Sequence, residues 1–198
     1  MSGARVIVGL DDAPRVEVTS RASWRRWLSR HHDRSDGIWV VTYKKHVKDK
    51  HVPWPDVVKE ALCFGWIDSR TRRVDDDRTS VFVTRRKKGS YWSATNKAHI
   101  AELEAAGLIA PQGQAVLDQA RKDGSWTFLD DVEALVEPED LCAALDTSKA
   151  ARAHWDDHDN ASTKKRALYH IKLAKTDTTR QARIASIVER CRGEQQPV

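Results

Sequence analysis

The segment between residues 61 and 96 constrains the fold of this chain more than any other. Two runs typical of β-strands, Trp66 to Val74 and Thr79 to Arg86, flank a turn of three aspartates and predict a β-hairpin. Gly65 suits the left-handed end of a preceding helix, and Ser93 suits the N-cap of a following helix. The segment therefore predicts a helix, a hairpin and a second helix in succession.

Side chains alternate between the two faces of a strand, so the hairpin also predicts which residues lie together. On its first strand the residues expected to share one face are Trp66, Asp68, Arg70 and Arg72. An indole and a carboxylate would then lie side by side on one surface of the sheet.

Caps, apolar spacing and turn residues predict the other elements. Helices are expected at 20–32, 53–64, 93–107, 111–122, 138–145, 148–158, 162–175 and 177–192, and further strands at 6–9, 16–19 and 37–43. The predicted class is α+β, with a small antiparallel or mixed sheet covered by helices and a C-terminal helical subdomain. We place the division between residues 1–130 and residues 131–198, where the composition turns acidic.

The composition is that of a soluble globular protein. The 198 residues are 40% hydrophobic and 32% charged, which allows a core without disulfides. No apolar run approaches the roughly 20 residues of a membrane span, and the N-terminal segment is too quickly acidic for a secretory signal. The three cysteines are far apart and form no Cys-x-x-Cys motif, which favours a reducing compartment. We expect a cytoplasmic protein, and the oligomeric state stays open.

Indoles beside charged side chains mark the candidate site. Charges are costly to bury next to apolar groups unless each one finds a partner, so this combination predicts a pocket or a docking surface. The indoles suit stacking on a planar or cationic group, and the planar guanidinium of arginine suits a carboxylate or phosphate. The residues predicted to line the site are Trp66, Asp68, Arg85, Arg86, Trp92, Ser93 and Asn96. Alternatively, the tryptophans belong to the core, Asp68 pairs with Arg70 or Arg85, and Ser93 with Asn96 caps a helix.

Other candidate centres are weaker. Cys63 lies near a helix C-terminus, where the helix dipole disfavours a thiolate, so it is predicted to be a core residue. His154 and His158 have helical i, i+4 spacing, but Trp155 replaces the glutamate of a metalloprotease motif and no third ligand is evident. The sequence contains no glycine-rich nucleotide motif and no nucleophile elbow. We therefore predict neither a metal nor a cofactor.

The net charge of +5 permits binding to nucleic acid or to an anionic ligand. Basic residues concentrate in the hairpin, at 70–73, 78 and 85–88, and again between 164 and 183. Phosphate contacts from these residues would make nucleic-acid binding dependent on salt. A solvated positive surface is the favoured alternative, because basic patches of this size are common.

Longer motifs in the chain resemble the YdeI/OmpD-associated family of bacterial proteins. They include Ala-Leu-Cys-Phe-Gly-Trp-Ile-Asp at 61–68, Arg-Arg at 85–86 and Ser-Tyr-Trp-Ser-Ala-Thr-Asn at 90–96, with further segments at 103–107, 120–126, 138–141 and 172–184. The resemblance extends from about Trp24 to Gly193. Two positions depart from the family pattern, since Ser69 stands where glycine is common and Thr84 where proline is common.

The resemblance implies a role in bacteriocin protection and in tolerance of cationic antimicrobial peptides, and it carries over no catalytic residues. Our first hypothesis is a stress or antimicrobial-tolerance protein that binds a small, partly planar ligand with an anionic group. The second is an enzyme that modifies or detoxifies an antibiotic or related metabolite, with Asp68 as acid or base and Arg85 and Arg86 stabilising developing charge. The third is a basic nucleic-acid-binding module.

Overall fold

The computed structural model describes residues 12–157 and 160–193. Within these residues the chain forms nine α-helices and one four-stranded mixed sheet, which confirms the predicted α+β class with a C-terminal helical region. The strand predicted at 6–9 lies outside the described residues. The chain divides into two compact units, one ending at Trp126 and the other beginning at Thr127. Each unit has its own hydrophobic core.

The first unit contains all four strands and four helices. Its elements are β1 Arg15–Glu17, α1 Arg21–His31, β2 Gly37–Tyr43, α2 Trp54–Cys63, β3 Trp66–Arg73, β4 Arg78–Arg85, α3 Ala94–Ala105 and α4 Pro111–Lys122. A short 3-10 helix, Lys48–Lys50, lies between β2 and α2. Ser20 caps α1 through a reciprocal capping box, and Gly65 has a φ of 74° just beyond α2, as their residue types predict.

The sheet has the strand order β1-β2-β4-β3, with β1 parallel to β2 and the other neighbours antiparallel. On one face, Val83 opposes Ile38 and Val81 opposes Val40, and all four side chains are buried in the core. The hairpin of β3 and β4 is therefore held by apolar packing on this face. β3 is an edge strand: Trp66 at its start is fully buried, and the next two residues, Ile67 and Asp68, are half-buried.

The predicted alternation along β3 breaks at a β-bulge. Between Asp68 and Thr71, β3 advances by three residues while β4 advances by two. The extra residue moves every later side chain to the opposite face. Arg72 consequently lies with its guanidinium carbon 4.6 Å from the ring centre of Trp39. The prediction that Arg72 shares the face of Trp66 was therefore wrong.

A buried carboxylate joins α1 to α2. Glu60 is only 2% exposed and accepts hydrogen bonds from Nε of Arg21 at 2.6 Å and from Nη1 of Arg25 at 2.8 Å. A carboxylate is costly to bury unless it is paired, so these arginines fix the helix pair. The sequence pattern of α2 did not single out Glu60.

Helix α4 lies unusually close to the end of α2. A Cβ atom at Gly113 would come within 2.1 Å of the carbonyl oxygen of Cys63, so no side chain fits there. The same carbonyl accepts a hydrogen bond from the N–H of Ala110 at 3.0 Å. Cys63 is fully buried, and burial raises the pKa of its thiol, which confirms its prediction as a core residue. This contact sets the position of α4, which forms one wall of the candidate site.

The second unit is entirely helical in its described part. Its helices are α5 Asp130–Glu133, α6 Glu139–Asp146, α7 Lys149–Asp157, α8 Ala161–Lys172 and α9 Asp177–Arg192. Four residues of α9, namely Ile184, Ile187, Val188 and Cys191, form its buried stripe. Helix α5 was not predicted, because four residues are too few to show a helical period. Among the helices of residues 12–157 and 160–193, none is both long enough and apolar enough to cross a membrane.

Candidate functional site

Arg86 is the centre of the candidate site. Its side chain is 8% exposed, and its guanidinium carbon lies 3.5 Å from the ring centre of Trp92. Nη1 donates to the carbonyl oxygens of Ser90 at 3.2 Å and Tyr91 at 2.9 Å, so the loop after β4 closes around the guanidinium. The backbone N–H of Arg86 donates to the carbonyl of Gly65 at 2.9 Å, which anchors this loop beside the start of β3.

Several buried side-chain nitrogens of the first unit, two of them on Arg86, have no hydrogen-bond partner among the described residues. They are Nε and Nη2 of Arg86, Nε1 of Trp66, Nε1 of Trp92 and Nδ1 of His99. We call these four residues the buried nitrogen cluster. A buried polar group left unpaired typically destabilises a fold by about 1–3 kcal/mol, so such a concentration is characteristic of a site that receives an acceptor.

Asp68 is the acidic group beside this cluster. It is half-buried, and burial raises its pKa, while a backbone hydrogen bond and the nearby side chains of Arg86 and His99 partly oppose that rise. Burial also lowers the pKa of Arg86 to about 10, against the opposing effect of Asp68. Since Nε and Nη2 of Arg86 are unpaired, Asp68 acts on the guanidinium through space rather than through a hydrogen bond.

A cavity of about 180 Å³ adjoins the cluster, between the loop after β4 and helix α4. We call it the loop cavity. Its lining residues are Arg86, Lys87, Lys88, Gly89, Ser90, Trp92, Ala115, Val116, Gln119, Ala120, Asp123 and Ser125. Arg86 and Trp92 belong to both the cluster and the cavity, although their unpaired nitrogens are themselves closed to solvent.

The predicted site residues separate into two groups. The structure brings Arg86 and Trp92 into contact and places Asp68 near them. Trp66 is fully buried, two residues before Asp68, with its ring centre 6.3 Å from that of Trp27 in an edge-on arrangement. The alternative that makes the tryptophans core residues is therefore correct for their rings, because both are less than 2% exposed. Neither ring offers an open face for stacking.

The other three predicted residues serve the surrounding structure. Arg85 forms an ion pair with Asp36. The hydroxyl of Ser93 caps α3 by accepting a hydrogen bond from the backbone N–H of Asn96 at 3.3 Å. None of the three lines the loop cavity. The helix-cap interpretation of Ser93 and Asn96 is thus confirmed, and their predicted contact with a ligand stays a prediction.

His99 and the wall formed by α4 were missed by sequence reasoning. His99 stands next to buried Ile100 and four residues before buried Leu103, so the helical period placed it at the edge of the core. That weak signal does not separate a site residue from a packed one. Nothing in the sequence indicates that α4, which follows α3, faces the loop after β4.

A wider groove of about 810 Å³ lies elsewhere on the first unit. Its lining includes Arg25, Arg26, Arg30, Phe64 and Gln112. Arg26 and Arg30 are exposed residues on one helix, and none of the cluster's unpaired nitrogens belongs to its lining. The buried nitrogen cluster with the loop cavity is therefore the stronger candidate site.

The described residues offer no group of three histidine, cysteine or acidic side chains that could hold a metal. The histidine pair considered from the sequence is not testable as a pair, since His158 lies outside the described residues. Glu137, in the second unit, accepts hydrogen bonds from Nε1 of Trp155 and Nη1 of Arg152, each at 2.8 Å, and this arrangement is a structural network.

Fold and site together define a class of protein in which an α+β unit with a buried polar site is followed by a helical unit. Residues 134–193 match the model of a family described as "Bacteriocin-protection, YdeI or OmpD-Associated", and residues 16–116 match a "Domain of unknown function (DUF8412)". The chain belongs to the DUF8412 family, whose model covers half of its length, and its C-terminal residues 134–193 match the YdeI/OmpD-associated family. No curated protein and no solved structure matches the chain.

Proposed function

We propose that this protein is a cytoplasmic, bacteriocin-protection-like protein that binds a small ligand through an anionic group, with Arg86 as the central binding residue. The family match of residues 134–193 supports the protective role. The observation that carries the binding proposal is the pair of unpaired N–H groups on Arg86, a residue that is 8% exposed and lines a cavity. The three cysteines lie far apart in the chain and form no Cys-x-x-Cys motif, which is compatible with a reducing compartment.

The anionic group, rather than a planar one, defines the proposed ligand. The guanidinium of Arg86 covers a face of the Trp92 ring, and the ring centre of Trp126 lies 5.1 Å from the ring centre of Trp92. A ligand could therefore stack on Trp92 only by displacing the protein's own side chains. The unpaired Nε1 of Trp92 instead adds a donor beside the guanidinium. Donors held in a dry environment favour an anionic acceptor.

A thermal-shift screen with small organic acids and phosphates tests this proposal. We expect an anionic compound to raise the melting temperature of the wild-type protein and to lose its effect in Arg86→Gln and Arg86→Lys. Arg85→Gln is the matched control, since the neighbouring arginine pairs with Asp36 and does not line the cavity. Equal loss of binding in the Arg85 and Arg86 variants, or no response to any anion, would overturn the proposal.

The protective role needs a separate test in cells. Bacteria that express the wild-type protein should survive a bacteriocin or a cationic antimicrobial peptide better than bacteria that express Arg86→Gln at the same level. Survival that depends equally on Arg85 would argue that the cavity is not the protective site.

A second candidate function is acid–base catalysis by Asp68. The observation in its favour is the raised pKa of Asp68, which brings a carboxyl closer to the range where it exchanges protons near neutral pH. Incubation with candidate antibiotics and detection of a mass change, lost in Asp68→Asn, would support it. Recovery of intact compounds from a protein that binds them would exclude turnover.

Nucleic-acid binding is less favoured than either alternative. Many basic residues of both basic regions are engaged in ion pairs, namely Arg73–Asp76, Arg78–Asp75, Arg85–Asp36, Lys165–Glu133, Lys172–Asp131 and Arg180–Asp140. These carboxylates reduce the positive charge that phosphates would meet. A gel-shift assay in which the affinity for nucleic acid falls steeply with salt concentration would support this function.

A further inference from the structure

The guanidinium of Arg86 leaves one particular edge unpaired. Nη1 already donates to two carbonyl oxygens of the loop, those of Ser90 and Tyr91. Nε and Nη2 have no partner, and in any guanidinium these two N–H groups lie on the same edge and point in the same direction. That edge matches the two oxygens of a carboxylate in a bidentate pair.

The loop cavity is small, and its wall on α4 is mostly apolar. Its volume of about 180 Å³ is below the range of roughly 300–1,000 Å³ that is typical of pockets for drug-sized ligands. Ala115, Val116 and Ala120 contribute the apolar part of the wall, opposite the loop that carries Arg86. A compact apolar body fits this side, and a charged end fits the other.

The charges around the cavity favour a single negative charge on the ligand. Arg86 is the one buried cation in its lining, while Lys87 and Lys88 are exposed at its rim. Two carboxylates oppose a highly charged ligand, since Asp123 lines the cavity and the charge of Asp68 already acts on Arg86. A phosphate dianion would meet this repulsion with only one buried partner.

We infer that the ligand of this site is a small monocarboxylate with a short apolar body. Its carboxylate pairs with Nε and Nη2 of Arg86, and its apolar body lies against Ala115, Val116 and Ala120. This inference rests on the proposed function and specifies the chemical class of its ligand. It also assigns the wall on α4 a role in selectivity that neither the family match nor the sequence motifs indicate.

The loop between Lys87 and Ser90 provides access to Arg86. Nε and Nη2 are closed to solvent, so the carboxylate reaches them when this loop moves. Lys87, Lys88 and Gly89 are exposed, and no atom lies within 4 Å of the position of a Cβ at Gly89. This part of the cavity wall is therefore not held by packing, unlike the wall on α4.

The test compares carboxylates with uncharged and phosphorylated controls on the full chain. Melting temperature and calorimetric affinity are measured with butyrate, isovalerate and benzoate, with the corresponding amides, and with inorganic phosphate. We expect at least one carboxylate to bind, its amide to bind at least tenfold more weakly, and phosphate to bind more weakly than the carboxylate. Binding should disappear in Arg86→Lys, because an ammonium group has no planar edge.

Variants at exposed alanines test whether ligand binding depends on the loop cavity as well as on Arg86. Ala115→Phe fills the cavity from an exposed position on α4 and should reduce carboxylate affinity at least tenfold, and Ala115→Leu should reduce it less. Ala105→Phe is the matched control, at an exposed alanine of α3 that lines neither cavity. Circular dichroism checks that each variant is folded.

The possible outcomes distinguish the two proposals. If anions bind through Arg86 but phosphate equals or exceeds the carboxylates, or the Ala115 variants bind normally, then the inference fails while the proposed function stands. If no anion binds, or binding does not depend on Arg86, then the proposed function and the inference both fail. Carboxylate binding that needs both Arg86 and an unfilled cavity supports both.

Discussion

The guanidinium of Arg86 lies over the ring of Trp92, with 3.5 Å between the guanidinium carbon and the ring centre. Both side chains are at least nine-tenths buried, so the indole replaces part of the hydration that the cation has lost. The replacement is incomplete, since burial still lowers the pKa of Arg86 to about 10. Arg86 and Trp92 thus hold the loop after β4 in place, and both side chains still carry N–H donors without a partner among the described residues.

Trp92→Leu should destabilise the protein more than Trp92→Phe does, by about 1–2 kcal/mol, because only phenylalanine keeps an aromatic face for the cation. Urea unfolding measures the difference. In an Arg86→Met background the difference between the two variants should shrink, since the cation is gone. The same difference in both backgrounds would show that packing, rather than the contact with Arg86, accounts for it.

Asp68→Asn should increase the free energy of unfolding at pH 7, and this gain should fade on acidification. Burial raises the folded-state pKa of Asp68 above its unfolded value of about 3.9. At a pH between these two pKa values, Asp68 is protonated in the folded chain and ionised in the unfolded chain. Stability therefore falls as pH rises through that window, and asparagine removes this loss. Urea unfolding between pH 4 and 8 checks the trend.

Asp75→Asn is the control of opposite sign. A hydrogen bond from Arg78 lowers the pKa of Asp75, so its stabilising contribution is present above the unfolded pKa and is lost as pH falls through the folded one. This variant should be less stable than wild type at pH 7. A loss of stability at pH 7 in Asp68→Asn as well would contradict the dominance of burial at Asp68.

Glu60→Gln should reduce the free energy of unfolding by about 2–3 kcal/mol, since it leaves two arginines without their buried partner. The estimate lies below that for a fully buried pair because the side chains of Arg21 and Arg25 are 40% and 34% exposed. Urea unfolding measures the loss. Glu102 forms an ion pair with Lys59, and its side chain is 61% exposed, so Glu102→Gln should change stability much less than Glu60→Gln does.

Gly113→Ala should destabilise the first unit by about 1–3 kcal/mol or more, because the new methyl group collides with the carbonyl oxygen of Cys63. As α4 forms one wall of the loop cavity, this variant should also weaken any ligand that binds there. Thermal unfolding with and without ligand measures both effects. Gln114→Ala, at the next position of the helix, should leave stability within about 0.5 kcal/mol of wild type.

Most elements of the fold could be predicted because their signals are local. Ser20 and Ser93 cap the predicted helices, Gly193 ends α9 with a φ of 79°, and the hairpin of β3 and β4 forms at the predicted aspartates. The β-bulge after Asp68 could not be predicted, since it depends on how β3 registers against β4. It reversed the expected side of the sheet for Arg72.

The candidate site could be predicted only in part. The stretch from Trp66 to Trp92 contains the central residues, because indoles beside charges are conspicuous in a sequence. Which charges are paired was not visible there. Arg85 and Arg86 are neighbours in the chain, yet one pairs with Asp36 at the surface and the other is buried against Trp92.

By itself, the sequence determined the class of fold, the bounds of most helices and strands, and the family. Helix caps, turns and the spacing of apolar residues involve residues that are close along the chain, so they can be recognised from the sequence alone. Only the tertiary structure decided that His99 and α4 join the neighbourhood of Arg86, that Glu60 lies between two arginines, and that two N–H groups of Arg86 remain unpaired. Those outcomes depend on distances between elements far apart in the chain and on the loss of water around each charge, which no local pattern encodes.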